Sequence, residues 1–218
     1  MNYLLIGGQT ECPEGEIESF ILNKTTNPCI LYVALASTKY LYSYNLFKNK
    51  IKCPLALLTE EDLINNTYEE KFKSANILYF AGGSTELLIG LVKKYNLEPY
   101  FKDKDLLVGV SAGAIMLSSF GMGDKDAFID DGHYYNFKMI EGLGLLNISF
   151  CPHYQKEELV MFDDECKKYK LDAYALEDDT AIYFEDARLK KVIKNVKSNS
   201  VYFLSKENYI LTPLYGKE

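Results

Sequence analysis

Short contiguous apolar runs alternate with stretches of helical spacing over the first half of the chain. Asn2–Ile6 (NYLLI), Cys29–Leu35 (CILYVAL), Leu55–Leu58, Asn76–Phe80 (NILYF) and Leu106–Val110 (LLVGV) each read as a strand. Runs without polar alternation suit strands buried on both faces of a parallel sheet. Ile17, Phe20 and Ile21 have helical spacing, and Ser37 or Thr38 caps a second helix over Tyr40–Lys48. Thr59, followed by Glu60, Glu61 and Asp62, starts a helix running towards Lys73, because acids favour the first turn. Leu87, Leu88, Leu91 and Val92 mark an amphipathic helix capped by Ser84 or Thr85, and a second short helix precedes Leu106. Ala112–Ser119 is a small-residue helix directly after the strand LLVGV.

The rhythm changes after residue 119. Residues 120–145 are rich in Gly, Asp and aromatics and read as a long loop or β-excursion, with Ala127–Ile129 and Tyr134–Phe137 as strands. Leu146–Cys151 returns to a buried strand, followed by a helix from about Lys156 to Tyr169. Tyr174–Leu176, Ala181–Phe184, Lys191–Ile193, Val201–Leu204 and Tyr209–Leu211 then make a β-rich closing segment. Repeated strand–helix units predict an α/β fold, a parallel sheet wrapped by helices. With no linker or internal repeat, residues 1–218 read as a single domain.

Composition narrows the function classes. The net charge of −7 argues against nucleic acid, whose phosphates need basic patches. The cluster Lys190, Lys191, Lys194 and Lys197 reads as a solvated edge. No apolar stretch reaches the ~18 residues of a membrane span, and the N-terminus lacks a basic, signal-like segment. Cys12, Cys29, Cys53, Cys151 and Cys166 are scattered, with no C-x-x-C pair to suggest a metal site or redox chemistry. The expectation is a cytoplasmic chain with reduced thiols, no metal and no cofactor. Its Tyr-rich segments are a candidate surface for a homodimer.

Against that background the stretch 106–119 carries chemistry. Gly109 and Gly113 flank Ser111 as G-x-S-x-G. A sharp strand-to-helix turn strains its apex residue, needs small neighbours, and lifts the hydroxyl above the sheet at a helix N-terminus. On its own the pentapeptide equally suits a junction chosen for close packing. A serine nucleophile needs a base, and of the two histidines, His133 and His153, His153 follows a strand. Glu177, Asp178 and Asp179 lie between two late strands and are available to orient it. The oxyanion donors would be the N–H of Ala112 and one from Gly82–Gly83.

AGGST (81–85), GVSAGAIM (109–116), CPHY (151–154) and LEDDTAI (176–182) together resemble the peptidase E family of aspartyl dipeptidases and their cyanophycinase relatives. The resemblance covers roughly residues 2–205. It implies a class I glutamine amidotransferase-like fold: three layers, a mostly parallel central sheet flanked by helices. It implies a serine peptidase acting on dipeptides or short peptides. Carried over, Ser111 matches the nucleophile, His153 the base, and Asp178 the acid, with Glu177 as the alternative. Asp126 lies fifteen residues after Ser111, where the aspartyl dipeptidases also carry an aspartate, and is a candidate substrate-pocket or supporting residue. Beside the resemblance, Gly83 and Ala112 are the candidate oxyanion donors, and Gly82, Ser84 and Thr85 are candidates for the substrate pocket. The dipeptidases' arginine between nucleophile and aspartate is missing here. Lys125 stands nearby as a point charge, in a loop also carrying Asp124, Asp126, Asp130 and Asp131. N-terminal Asp, isoaspartyl, neutral and basic substrates therefore all stay open. So do an amidase or esterase acting on a non-peptide substrate, and a silent relative that binds a small ligand.

Overall fold

The computed structural model describes residues 1–8, 15–124, 137–155 and 161–215. In chain order these form β1 (Asn2–Ile6), α1 (Glu16–Leu22), β2 (Ile30–Val33), α2 (Leu41–Lys50), β3 (Leu55–Leu58), α3 (Glu60–Ile64), α4 (Tyr68–Ser74), β4 (Ile77–Phe80), α5 (Thr85–Lys94), a 3-10 turn at Glu98–Phe101, β5 (Leu106–Val110) and α6 (Ala112–Leu117). There follow β6 (Ser118–Asp124), β7 (Phe137–Glu141), β8 (Leu146–Cys151), α7 (Met161–Tyr169), β9 (Ala173–Leu176), β10 (Thr180–Glu185), β11 (Arg188–Lys194), β12 (Val201–Leu204) and β13 (Leu211–Leu214).

The apolar runs pair in parallel because each has apolar side chains for both faces. The seven-stranded sheet has the order β11-β10-β1-β5-β4-β2-β3, with β10 and β11 antiparallel at one edge. Leu4, Ile6, Ile30, Tyr32, Ile77 and Tyr79 point to one face and pack with Ile17 and Ile21 of α1 and Phe47 of α2. Their neighbours Leu5, Leu31, Val33, Leu78 and Phe80 point to the other, against Leu88 and Val92 of α5 and Ile115 and Met116 of α6. Period-two alternation with both halves apolar places this sheet in the middle of the layers.

The expected α/β architecture is present, with one addition. The excursion after α6 and most of the closing segment join into a second, six-stranded sheet of order β13-β12-β9-β8-β6-β7. Ile148 and Phe150 of β8 share a core with α5 and α6, so this sheet lies on the α6 side of the first. The expected helix over 112–119 ends at Leu117, because Ser118 turns extended and pairs with Leu146. The expected helix from Thr59 to Lys73 divides into α3 and α4. The helix starts at Thr59 as read, and there Thr59 and Asp62 form a capping box, but Asn66 takes a left-handed φ of 54°. Asparagine tolerates that conformation, and Asn65-Asn66-Thr67 favours helix weakly. The last strand begins at Leu211 rather than Tyr209, since Tyr209 has a φ of 52°. The strand expected at 127–129, most of that at 134–137 and the start of the helix at 156 lie outside the described residues.

The junction between β5 and α6 depends on two absent side chains. A Cβ on Gly109 would meet Gly113 and Ala114 backbone at 2.6 Å, and one on Gly113 would meet the Phe80 carbonyl oxygen at 2.3 Å. Gly113→Ala is expected to destabilise the fold by about 1–3 kcal/mol through overpacking. For a chain of this size that lowers Tm by roughly 2–12 °C. A melt by circular dichroism checks this, and an unchanged Tm would contradict the packing argument.

Candidate active site

Ser111 follows β5 and precedes α6, and its backbone takes φ 50°, ψ −110°. A non-glycine residue held there stores on the order of 1–3 kcal/mol of strain. The surroundings hold it in place. Ser111 N–H donates to the Ile6 carbonyl at 3.1 Å, and the Ser111 carbonyl accepts the first helical bond from Ile115 N–H at 3.0 Å. Residues 112–117 are all buried, whereas Ser111 is only half-buried. The core therefore fixes the helix while its leading hydroxyl faces out.

His153 comes from the end of β8, two residues past Cys151, and also has a left-handed φ, 49°. Its Nε2 lies 3.0 Å from Ser111 Oγ, and its Nδ1 lies 2.6 Å from Asp178 Oδ1. An ionised carboxylate only accepts, so the short contact assigns the ring proton to Nδ1 and leaves Nε2 as the acceptor for the serine hydroxyl. The His153 and Asp178 side chains are 51% and 39% exposed, which leaves the pair accessible to a small molecule. Asp178 sits in the turn between β9 and β10. The three side chains thus meet at carboxyl ends of parallel strands, where open α/β sheets place their ligands.

The neighbouring acids have other partners. Glu177 Oε2 accepts the Ser200 N–H at 2.9 Å, and the two residues also bond through their backbones. Asp179 is buried, and its N–H donates to the Gly8 carbonyl at 3.0 Å. Asn199 Nδ2 donates to the Asp178 carbonyl at 2.8 Å.

Pairing of Phe80 with Gly109 brings the turn after β4 beside Ser111. A Cβ on Gly82 would stand 3.4 Å from Ser111 Cβ. Gly83 has φ 138°, and a Cβ there would meet the Ala36 carbonyl oxygen at 2.3 Å, so both geometry and space require glycine. Ala112 begins α6, where helix geometry leaves the N–H without an intrahelical acceptor. Ser84 caps α5, its Oγ accepting from Leu87 N–H at 3.3 Å. Thr85 is 3% exposed, with Gly123 of β6 beside it, so its side chain has almost no surface to offer a substrate. Asp126, Lys125 and His133 lie outside the described residues. Among the described residues no group of three His, Cys, Asp or Glu side chains is arranged to hold a metal ion.

Two contributors are not apparent from sequence. Gly7–Gly8 reads as a plain βα turn, yet both residues touch the loops that carry His153 and Asp178. Asn199 has no motif at all. The only local sign is that a glycine pair ends β1.

The model of peptidase family S51 matches residues 3–192. YgaJ, an uncharacterized peptidase of Bacillus subtilis (strain 168), is 24% identical over 214 residues, covering 90% of this chain and 87% of its own. The crystal structure of a peptidase from an acI-B1 Actinobacterium superposes with a TM-score of 0.67 at 20% identity, over 100% of this chain and 95% of that one. A Listeria monocytogenes EGD-e structure assigned to peptidase E gives a TM-score of 0.57 at 14% identity, over 89% and 98% of the two chains. At those identities the structural matches establish the fold.

Proposed function

The chain belongs to peptidase family S51, and from that premise we propose a serine peptidase that hydrolyses dipeptides or short peptides through Ser111, His153 and Asp178. The observation that carries this reading is the continuous chain Ser111 Oγ–His153 Nε2, 3.0 Å, and His153 Nδ1–Asp178 Oδ1, 2.6 Å. Ser111 Oγ attacks the scissile carbonyl carbon as His153 Nε2 takes the hydroxyl proton. Asp178 holds the imidazole in the required tautomer and stabilises its charged form. The N–H groups of Ala112 and Gly83 receive the oxyanion; losing one such donor typically costs ~10²–10³ in turnover. His153 then passes its proton to the leaving amine. A water attacks the acyl-serine by the same route and releases the acid.

The working unit is read as one domain, residues 1–218, because β8 and β9 of the second sheet deliver His153 and Asp178 to Ser111 on the first. A cytoplasmic location accords with the free thiols of Cys29, Cys53, Cys151 and Cys166. No helix among the described residues is long and apolar enough to cross a membrane.

The test has two parts. A fluorophosphonate is expected to modify Ser111, located by peptide mapping. A dipeptide panel with N-terminal Asp, isoAsp, neutral and basic residues is expected to show turnover that the label abolishes. Labelling with turnover of simple esters or amides alone would move the substrate class to non-peptides. Neither labelling nor turnover would leave a ligand-binding relative instead.

A further inference from the structure

Three successive carbonyls at the end of β1 each accept an N–H from a different catalytic loop. Ile6 accepts from Ser111 at 3.1 Å, Gly7 from His153 at 3.2 Å, and Gly8 from Asp179 at 3.0 Å. The Gly7 N–H also donates to the Thr180 carbonyl at 3.0 Å. Loops from three distant parts of the chain are thereby set against one another at the spacing of an extended backbone, about 3.3 Å per residue.

Gly8 adds a second feature. A Cβ there would lie 1.9 Å from Asp178 Oδ1 and 2.5 Å from His153 Nδ1, on the two atoms that form the His–Asp bond. Among the described residues the positive-φ glycines are Gly83 and Gly144, so backbone conformation does not demand glycine at position 8. Space does. We infer that Ile6–Gly8 is the element that aligns the triad, and that Gly8 is a positioning residue whose missing side chain makes room for the Asp178–His153 bond. This rests on the triad reading above, and Gly8 acts only through those two side chains.

The test is a double-mutant cycle of Gly8→Ala and Asp178→Ala, read by kinetics and by Tm. Gly8→Ala alone is expected to lower kcat about 10²-fold, with KM little changed, since a misplacement of about 1 Å has that effect. In the Asp178→Ala background its effect on kcat is expected to be smaller than in the wild type but not nil, because the Cβ no longer meets Asp178 yet still lies 2.4 Å from His153 Cε1, and neighbours acting through one contact are not additive. Any loss of Tm caused by Gly8→Ala is expected to be regained in part when Asp178→Ala removes the atom at 1.9 Å. Wild-type kcat in Gly8→Ala, additive losses in the cycle, or a Tm loss that Asp178→Ala leaves unrelieved would each overturn the inference. If Gly8→Ala yields no folded protein, recovery or not in the double variant decides the matter. The Tm arm needs no turnover, so it judges the role of Gly8 even where the peptidase reading fails.

Discussion

Ser111→Ala is expected to lower peptide turnover by about 10⁶-fold while the protein keeps its fold. Loss of the nucleophile in a serine triad has an effect of that order, because the three side chains act as a unit. What survives is the contribution of the Ala112 and Gly83 donors and of binding, typically ~10³–10⁴ over water. Stability should barely move. Ser111 Oγ makes no capping bond to α6, and its contact with His153 joins two accessible groups. A neutral hydrogen bond of that kind contributes about 0.5–1.5 kcal/mol net. Alanine accepts the same backbone angles about as well as serine. Steady-state kinetics on the best dipeptide, with a melt of each protein, check this. Turnover within ~100-fold of wild type would place the nucleophile elsewhere.

Asp178→Asn should reduce kcat about 10⁴-fold, and Glu177→Gln by less than about 10-fold. An asparagine can present its NH₂ to Nδ1, which favours the tautomer that protonates Nε2 and blocks proton uptake from Ser111. Glu177 instead accepts the Ser200 N–H at 2.9 Å. Glutamine keeps an acceptor oxygen there, so the β9–β12 junction holds and the triad is undisturbed. Equal losses in the two variants would show that both acids serve His153. A larger loss in Glu177→Gln would exchange their roles.

Much of this was legible in the linear chain. Contiguous apolar runs located β1, β3, β5, β8 and β12 to the residue, since a strand buried on both faces must be apolar throughout. G-x-S-x-G marked the tight strand-to-helix turn at Ser111, because only small neighbours fit where Gly113 meets the Phe80 backbone. His153 stood out as the histidine following a strand.

Other features had no local signature. Glu177 and Asp178 are adjacent, similar in charge, and in the same turn, so no periodicity separates them. The choice is made by the left-handed Asp179 at φ 56° and by the grip of Asn199 and Ser200 on either acid, from a turn beyond β11. Gly8 is an ordinary turn glycine until His153 and Asp178 arrive at the space a Cβ would fill. The second sheet arises from pairings such as β9 with β12, between strands that each read only as short apolar runs. The amino-acid pattern alone determined what each segment buries, the parallel core, and the candidate nucleophile, base and acids, because burial and turn chemistry act over a few residues. The partner of His153, the need for glycine at position 8 and the second sheet were decided only by tertiary structure, because they depend on atoms that distant segments bring within about 3 Å of one another.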